Sequence, residues 1–308
     1  MPARDRVRGL LAGAVAGTAG GLFGVGGGIL LVPILTGFFG LTQHQAHGTS
    51  LAVIGATALA ALIVYGAHAN VVWTTAALVA LGSLVSARFG ARWATRVSAR
   101  GLRHAFAVFL LLVAARLLWE APAVTDHRAL AGTQGFAFSL LLGLAVGTLA
   151  GFMGVGGGIL IVPACTLVFG MSQQAAQGTS LAVILVTAPA AALEHARHGN
   201  VAWRPVPMLA LGAALGAPLA SWAAQVLPHE WLVRAFAAFL LATAVYTWIR
   251  AGATPPRPTT VVSPPGRGPS GHLGRRGRSP VGPPWARFLI ARKVAGACRR
   301  EALVLPLC

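Results

Sequence analysis

The chain has 308 residues, 56% of them hydrophobic and 10% charged, at a mean hydropathy of +0.72; an ordinary globular domain carries about 25% charge, which excludes a soluble two-domain protein of this length. The formal net charge of +18 would suit nucleic acid, but ten cations and one anion follow residue 250. The arginines before it cluster between apolar segments rather than beside aromatics on a polar face, so basic loops at a membrane surface replace the nucleic-acid reading.

No Lys, Arg, Asp or Glu occurs from Gly9 through Ala87 or from Ala129 through Leu193, and each stretch can hold several spans of about 20 residues. Apolar lengths and loop signals predict helices over 9 to 23, 27 to 40, 45 to 66, 71 to 88 and 104 to 119. Five more follow over 136 to 150, 157 to 170, 175 to 194, 205 to 221 and 233 to 249. Arg4, Arg6 and Arg8 before the apolar run from Leu10 imitate a signal peptide. A similar segment, 140 to 150, sits in mid-chain where no signal peptidase acts, so the first run is read as a span. From Ala251 the composition turns to Pro, Gly, Arg and Ser, which predicts a disordered basic tail near anionic lipid. A shifted reading frame would also give such a tail.

The ten segments are two sets of five. At an offset of 130 residues, 22 of 34 positions are identical between 21 to 54 and 151 to 184. The repeated stretch opens on Gly24-Val25-Gly26-Gly27-Gly28-Ile29-Leu30 and Gly154-Val155-Gly156-Gly157-Gly158-Ile159-Leu160, and continues to Gly48-Thr49-Ser50-Leu51 and Gly178-Thr179-Ser180-Leu181. Residues 1–125 and 126–250 are therefore read as two transmembrane repeats, with 251–308 as the tail. The loop from Arg88 to Arg103 holds five arginines, whereas its counterpart, Pro218 to Val233, has no Lys or Arg; near His68 the bias is reversed, because the counterpart loop carries Arg197 and Arg204. Equivalent loops of opposite charge predict opposite orientation in the bilayer, which an odd number of segments per half delivers. The expected fold is an all-α polytopic membrane bundle of two inverted-topology repeats, with broken or re-entrant helices at the glycine motifs.

Each interior glycine costs a helix about 1 kcal/mol, so the clusters read as deliberate breaks. At membrane depth a break is tolerable only where protein buries it or it lines a cavity. Neither cluster is followed by Lys-Ser or Lys-Thr, so a phosphate loop is unlike them. Gly9, Gly13 and Gly17, and Gly143, Gly147 and Gly151, recur at every fourth position and fit close helix packing. The consecutive Gly26, Gly27 and Gly28, with Gly156, Gly157 and Gly158, would instead bare backbone N–H groups at a helix start, which favours an anion, and Gly24 and Gly154 just before them are counted with the same candidate site. Thr49, Ser50, Thr179 and Ser180 read equally as helix caps or backbone partners and as hydroxyl donors to an oxyanion; Gln43 and Gln173 could add amide donors. Asn70 and Asn200 read as turn residues. His68 and His198 read as satisfied interfacial histidines, and Glu194 as a partner of Arg197 or Arg204. No cofactor, metal site or catalytic constellation is indicated, so the chain is not read as an enzyme.

The two glycine motifs, each followed by Val-Pro and then by Gly-Thr-Ser-Leu-Ala, resemble the sulfite exporter TauE/SafE family of membrane permeases, over about residues 9 to 250. The resemblance implies a bacterial inner-membrane, multi-pass transporter of sulfite, sulfonates or other small organic anions. The partners implied are a small anionic solute and the lipid bilayer, with a homo-oligomer as a further option. A channel and a non-transporting membrane scaffold are the alternative classes.

Overall fold

The computed structural model describes residues 3–93, 99–119, 133–153 and 157–252. The described residues are all-helical. The first five helices are α1 (Ala3–Phe23), α2 (Gly28–Phe38), α3 (Gln43–Ala67), α4 (Trp73–Trp93) and α5 (Ala99–Trp119). The second five are α6 (Thr133–Met153), α7 (Gly158–Leu167), α8 (Gln173–Arg197), α9 (Val206–Val226) and α10 (His229–Gly252). The tail from residue 253 lies outside the described residues, as do the side chains of the five arginines from Arg88 to Arg103, where α4 and α5 run into the expected loop, to Trp93 and from Ala99.

All ten expected segments are present, with two instructive shifts. Helix α1 begins six residues before the expected start, because Arg4, Asp5, Arg6 and Arg8 lie on its first turns rather than in a loop. Helices α2 and α7 are shorter than expected, at 11 and 10 residues. At 1.5 Å per residue each extends only about 16 Å, half of a bilayer's hydrocarbon thickness. By contrast α3, α8 and α9, and residues His229–Ile249 of α10, are long and apolar enough to cross a membrane.

Helix α3 starts at a capping box. The Thr42 side chain accepts from the Gln45 N–H, and the Gln45 side chain accepts from the Thr42 N–H. Ser172 caps α8 in the equivalent place. Thr49-Ser50 and Thr179-Ser180 therefore lie in the second turn of their helices and are not caps. At the far ends, Asn70 N–H reaches back to Tyr65 O (3.0 Å) and Asn200 N–H to His195 O (2.9 Å), so both asparagines close helices through their backbones. His68 and His198 each place Nδ1 2.8 Å from a carbonyl of the preceding turn, of Val64 and Glu194. Glu194 pairs with Arg197 at 3.2 Å on the exposed surface. Such a pair stabilises by less than about 1 kcal/mol.

The two sequence halves do not form separate bodies: residues Met1–Thr254 make one compact unit in which helices interlock across the halves. Helix α1 packs on α9, α6 on α4, α3 on α8 and α10 on α5. Spaced glycines make the α1–α9 and α4–α6 contacts. A methyl group added at Gly13, Gly17 or Gly21 would lie 2.1 to 2.4 Å from a backbone oxygen of α9, and one at Gly143 or Gly147 would lie 2.5 or 2.4 Å from one of α4. Small residues let the backbones approach this closely where lipid offers no hydrophobic drive for helices to associate. Across the bundle, Phe23 stacks on Phe239 with ring centroids 4.5 Å apart.

Gly37, with nothing within 4 Å of the equivalent position, is the natural control. Gly17→Leu should destabilise the purified protein by at least about 1–3 kcal/mol, whereas Gly37→Ala should be neutral or stabilise it by up to about 1 kcal/mol. Thermal unfolding in detergent reads both.

Candidate functional site

The first break is a run of backbone that only glycine adopts easily. Gly24, Gly26 and Gly27 have φ of 68°, 73° and 79°, and Gly157 repeats Gly27 at 78°. Gly24 through Gly28 are buried, as are Gly157 and Gly158. Gly154 and Gly156 lie outside the described residues. Neither α2 nor α7 has a side-chain cap at its first turn. The N–H groups there are free of side-chain acceptors, at the positive end of the helix dipole.

The two breaks meet. A methyl group on Gly158 would lie 2.9 Å from Val25 Cα and 3.2 Å from Gly24 O. One on Gly26 would lie 2.6 Å from Ile54 Cγ2 and 3.5 Å from Ile184 Cγ2, so the equivalent isoleucines of α3 and α8 flank the first break. Gly27 is closed in by the Ala16 carbonyl, 2.2 Å from an added methyl group. Any side chain at Gly27 therefore disrupts packing.

Helices α3 and α8 run head to tail beneath the breaks and exchange equivalent contacts. Gly48 at the start of α3 abuts Asn200 O beyond the end of α8, and Gly178 at the start of α8 abuts Asn70 O beyond the end of α3. The Ala202 N–H donates to Thr49 Oγ1 (2.9 Å), and the Val72 N–H donates to Thr179 Oγ1 (3.0 Å). Each threonine oxygen is thus occupied as an acceptor from the other half, which makes the pair struts of the frame. Both threonines are fully buried.

The remaining candidates separate into two unlike groups. In the first half, Gln43 is exposed and donates from Nε2 to His47 Nε2 (3.0 Å), while Ser50 donates to His47 O (2.9 Å). In the second half, Gln173 and Ser180 are fully buried, and neither amide atom of Gln173 nor the Ser180 hydroxyl has a partner. At 100° per residue, positions 173, 177, 180 and 184 fall within an arc of about 60°, which aligns these two with Gln177 and Ile184. Gly24 packs on this stripe, since a methyl group there would lie 2.6 Å from Gln177 Cα.

Sequence reasoning missed Gln177 and its surroundings. The hydroxyl of buried Tyr65 lies 2.8 Å from Gln177 Oε1 and 3.0 Å from Gly21 O, one turn before the break. Ser221 reaches the same carbonyl at 3.4 Å. Asn70 Nδ2 donates to Gln225 Oε1, and the Gln173 N–H donates to His229 Nδ1 (3.3 Å). A search for identical residues in the two halves could not find this cluster, because Gln177 and Tyr65 correspond to His47 and His195. The polar stripe at 173, 177 and 180 in an apolar helix was the available signal. Among the described residues no group of three or more His, Cys, Asp or Glu could hold a metal ion.

Comparison with known proteins follows the same lines. The family model described as sulfite exporter TauE/SafE matches residues 2–117 and 139–291. The probable membrane transporter protein YunE of Bacillus subtilis is 30% identical over 229 residues, covering 67% of this chain and 84% of that protein. A probable membrane transporter protein of Xylella fastidiosa is 30% identical over 250 residues, covering 79% and 94%. No solved structure matches.

Tyr65→Phe removes the one hydroxyl proton within reach of Gly21 O and Gln177 Oε1 and should leave one of these two oxygens short of a buried donor. The expected loss is about 1–3 kcal/mol of stability, read as a lower unfolding temperature in detergent; an unchanged transition would show that the hydroxyl bridges nothing.

Proposed function

The chain belongs to the sulfite exporter TauE/SafE family of membrane transporters, which are not enzymes, and on that premise we propose that it carries a small anion across a bacterial inner membrane by alternating access. The solute class is a sulfur oxyanion, a sulfonate or a related organic anion. The observation that carries the reading is the meeting of the two breaks, Gly24 to Gly28 against Gly158, between Ile54 and Ile184. Broken helices that join at a repeat interface are where carriers of this architecture bind solute.

In this reading residues 1–125 and 126–250 are inverted copies. Their support is the head-to-tail α3 and α8, the reciprocal threonine bonds and the opposite charge bias of equivalent loops. The uncapped starts of α2 and α7 supply amide dipoles that favour negative charge. Thr49 and Thr179 hold the halves in register, and the solute meets the glycine backbone and the polar stripe of α8. Rocking of one interlocked set of helices against the other exposes the breaks to each side in turn.

Purified protein in proteoliposomes, loaded in turn with sulfite and a series of sulfonates, tests this. A carrier gives saturable flux that the same anion accelerates from the far side. Flux that rises linearly with concentration indicates a channel, and flux no greater than in protein-free vesicles contradicts transport of these anions altogether.

A further inference from the structure

Buried side-chain atoms without a hydrogen-bond partner gather in one neighbourhood of the described residues: Gln173 Nε2 and Oε1, Gln177 Nε2, Ser180 Oγ, Gln225 Nε2 and His229 Nε2. The contacts already described link them. Gln173 bonds His229 through its backbone, Gln225 bonds Asn70, and Asn70 O and Tyr65 Cβ both abut Gly178, the residue that follows Gln177 on α8. Gln173, Gln177 and Ser180 are fully buried. Each unpaired buried group costs about 1–3 kcal/mol, and polar groups kept in membrane proteins mark solute pathways. The equivalent positions of the first half carry no such debt: Gln43 is exposed, and Gln43, His47 and Ser50 bond one another.

We propose that Gln173, Gln177, Ser180, Gln225 and His229 form a solute-binding chamber of neutral hydrogen-bonding groups that takes a singly charged oxyanion. The proposal rests on the transporter reading and names the solute class of that same site. Its chemistry is donor-rich. His229 Nδ1 accepts from the Gln173 N–H, so the neutral ring carries its proton on Nε2 and presents a donor. The amide nitrogens of Gln173, Gln177 and Gln225 and the Ser180 hydroxyl add four more. Gln173 Oε1 is the unpaired carbonyl among them, and it suits a proton or polar substituent carried by the anion. None of the five residues is Lys or Arg, so nothing in the set offsets the desolvation of a second negative charge.

The test compares radiolabelled methanesulfonate, always a monoanion near neutral pH, with sulfate, a dianion, in proteoliposomes of the full chain. Wild-type protein should carry methanesulfonate at least about tenfold faster than sulfate. Ser180→Ala and Gln177→Met should each raise the KM for methanesulfonate by about tenfold, the equivalent of one lost hydrogen bond. The first-half counterparts Ser50→Ala and Gln43→Met should change it less than about twofold. Ser180→Ala removes one unpartnered buried oxygen and should unfold no lower than the wild-type temperature, so it reads the chamber even if Gln177→Met fails to fold. Methanesulfonate flux unchanged by Ser180→Ala would overturn the chamber and leave the transporter reading standing. Equal flux of sulfate would overturn the single-charge class. Absence of all anion flux would overturn the transporter reading and the chamber with it.

Discussion

A peptide group that leaves a helix inside a bilayer finds no water to bond, and each unmet N–H or C=O there costs several kcal/mol. With the breaks at membrane depth, as the proposed transporter has them, that penalty accounts for their surroundings. Gly24 to Gly28 are buried among Ala16, Ile54, Ile184 and Gln177. The buried carbonyl of Gly21, in the last turn of α1, is met by Tyr65 and Ser221 from two other helices. A scaffold that needed only apolar spans would have no use for such breaks. Supporting them takes side chains from α3, α8 and α9.

The same constraint accounts for the interlocked halves. A break supported only by its own repeat would face lipid on its outer side, whereas exchange of α1 with α9, α6 with α4 and α3 with α8 encloses it. Close packing then falls to glycines and alanines, since α1 and α9 approach until backbone oxygens of one helix fill the space a Cβ would take at glycines of the other. Thr49 and Thr179 pin the two long helices to the loops of the opposite half. Their oxygens serve the loop amides that would otherwise be orphaned at 72 and 202.

Much of this was legible in the chain itself. The offset of 130 residues marks the repeat, the charge-free blocks mark the spans, and spaced glycines differ visibly from consecutive ones. What stayed hidden were features that depend on which helix faces which. Residues 49, 50, 179 and 180 look like helix openings after a glycine, but Thr42 and Ser172 take the caps seven residues earlier. Ser50 and Ser180 read alike, yet one bonds its own helix and the other has no partner. Tyr65 and Gln177 escaped notice because their repeat counterparts are histidines, and only the fold brings them together across 112 residues.

The account depends on the depth and contact of the breaks. Single-particle imaging of the protein in a lipid nanodisc, where the bilayer itself is visible, measures both directly. Gly24 to Gly28 should touch Gly158 near the middle of the membrane, with no break residue facing acyl chains. Breaks held apart, or lying at the headgroup level, would contradict it.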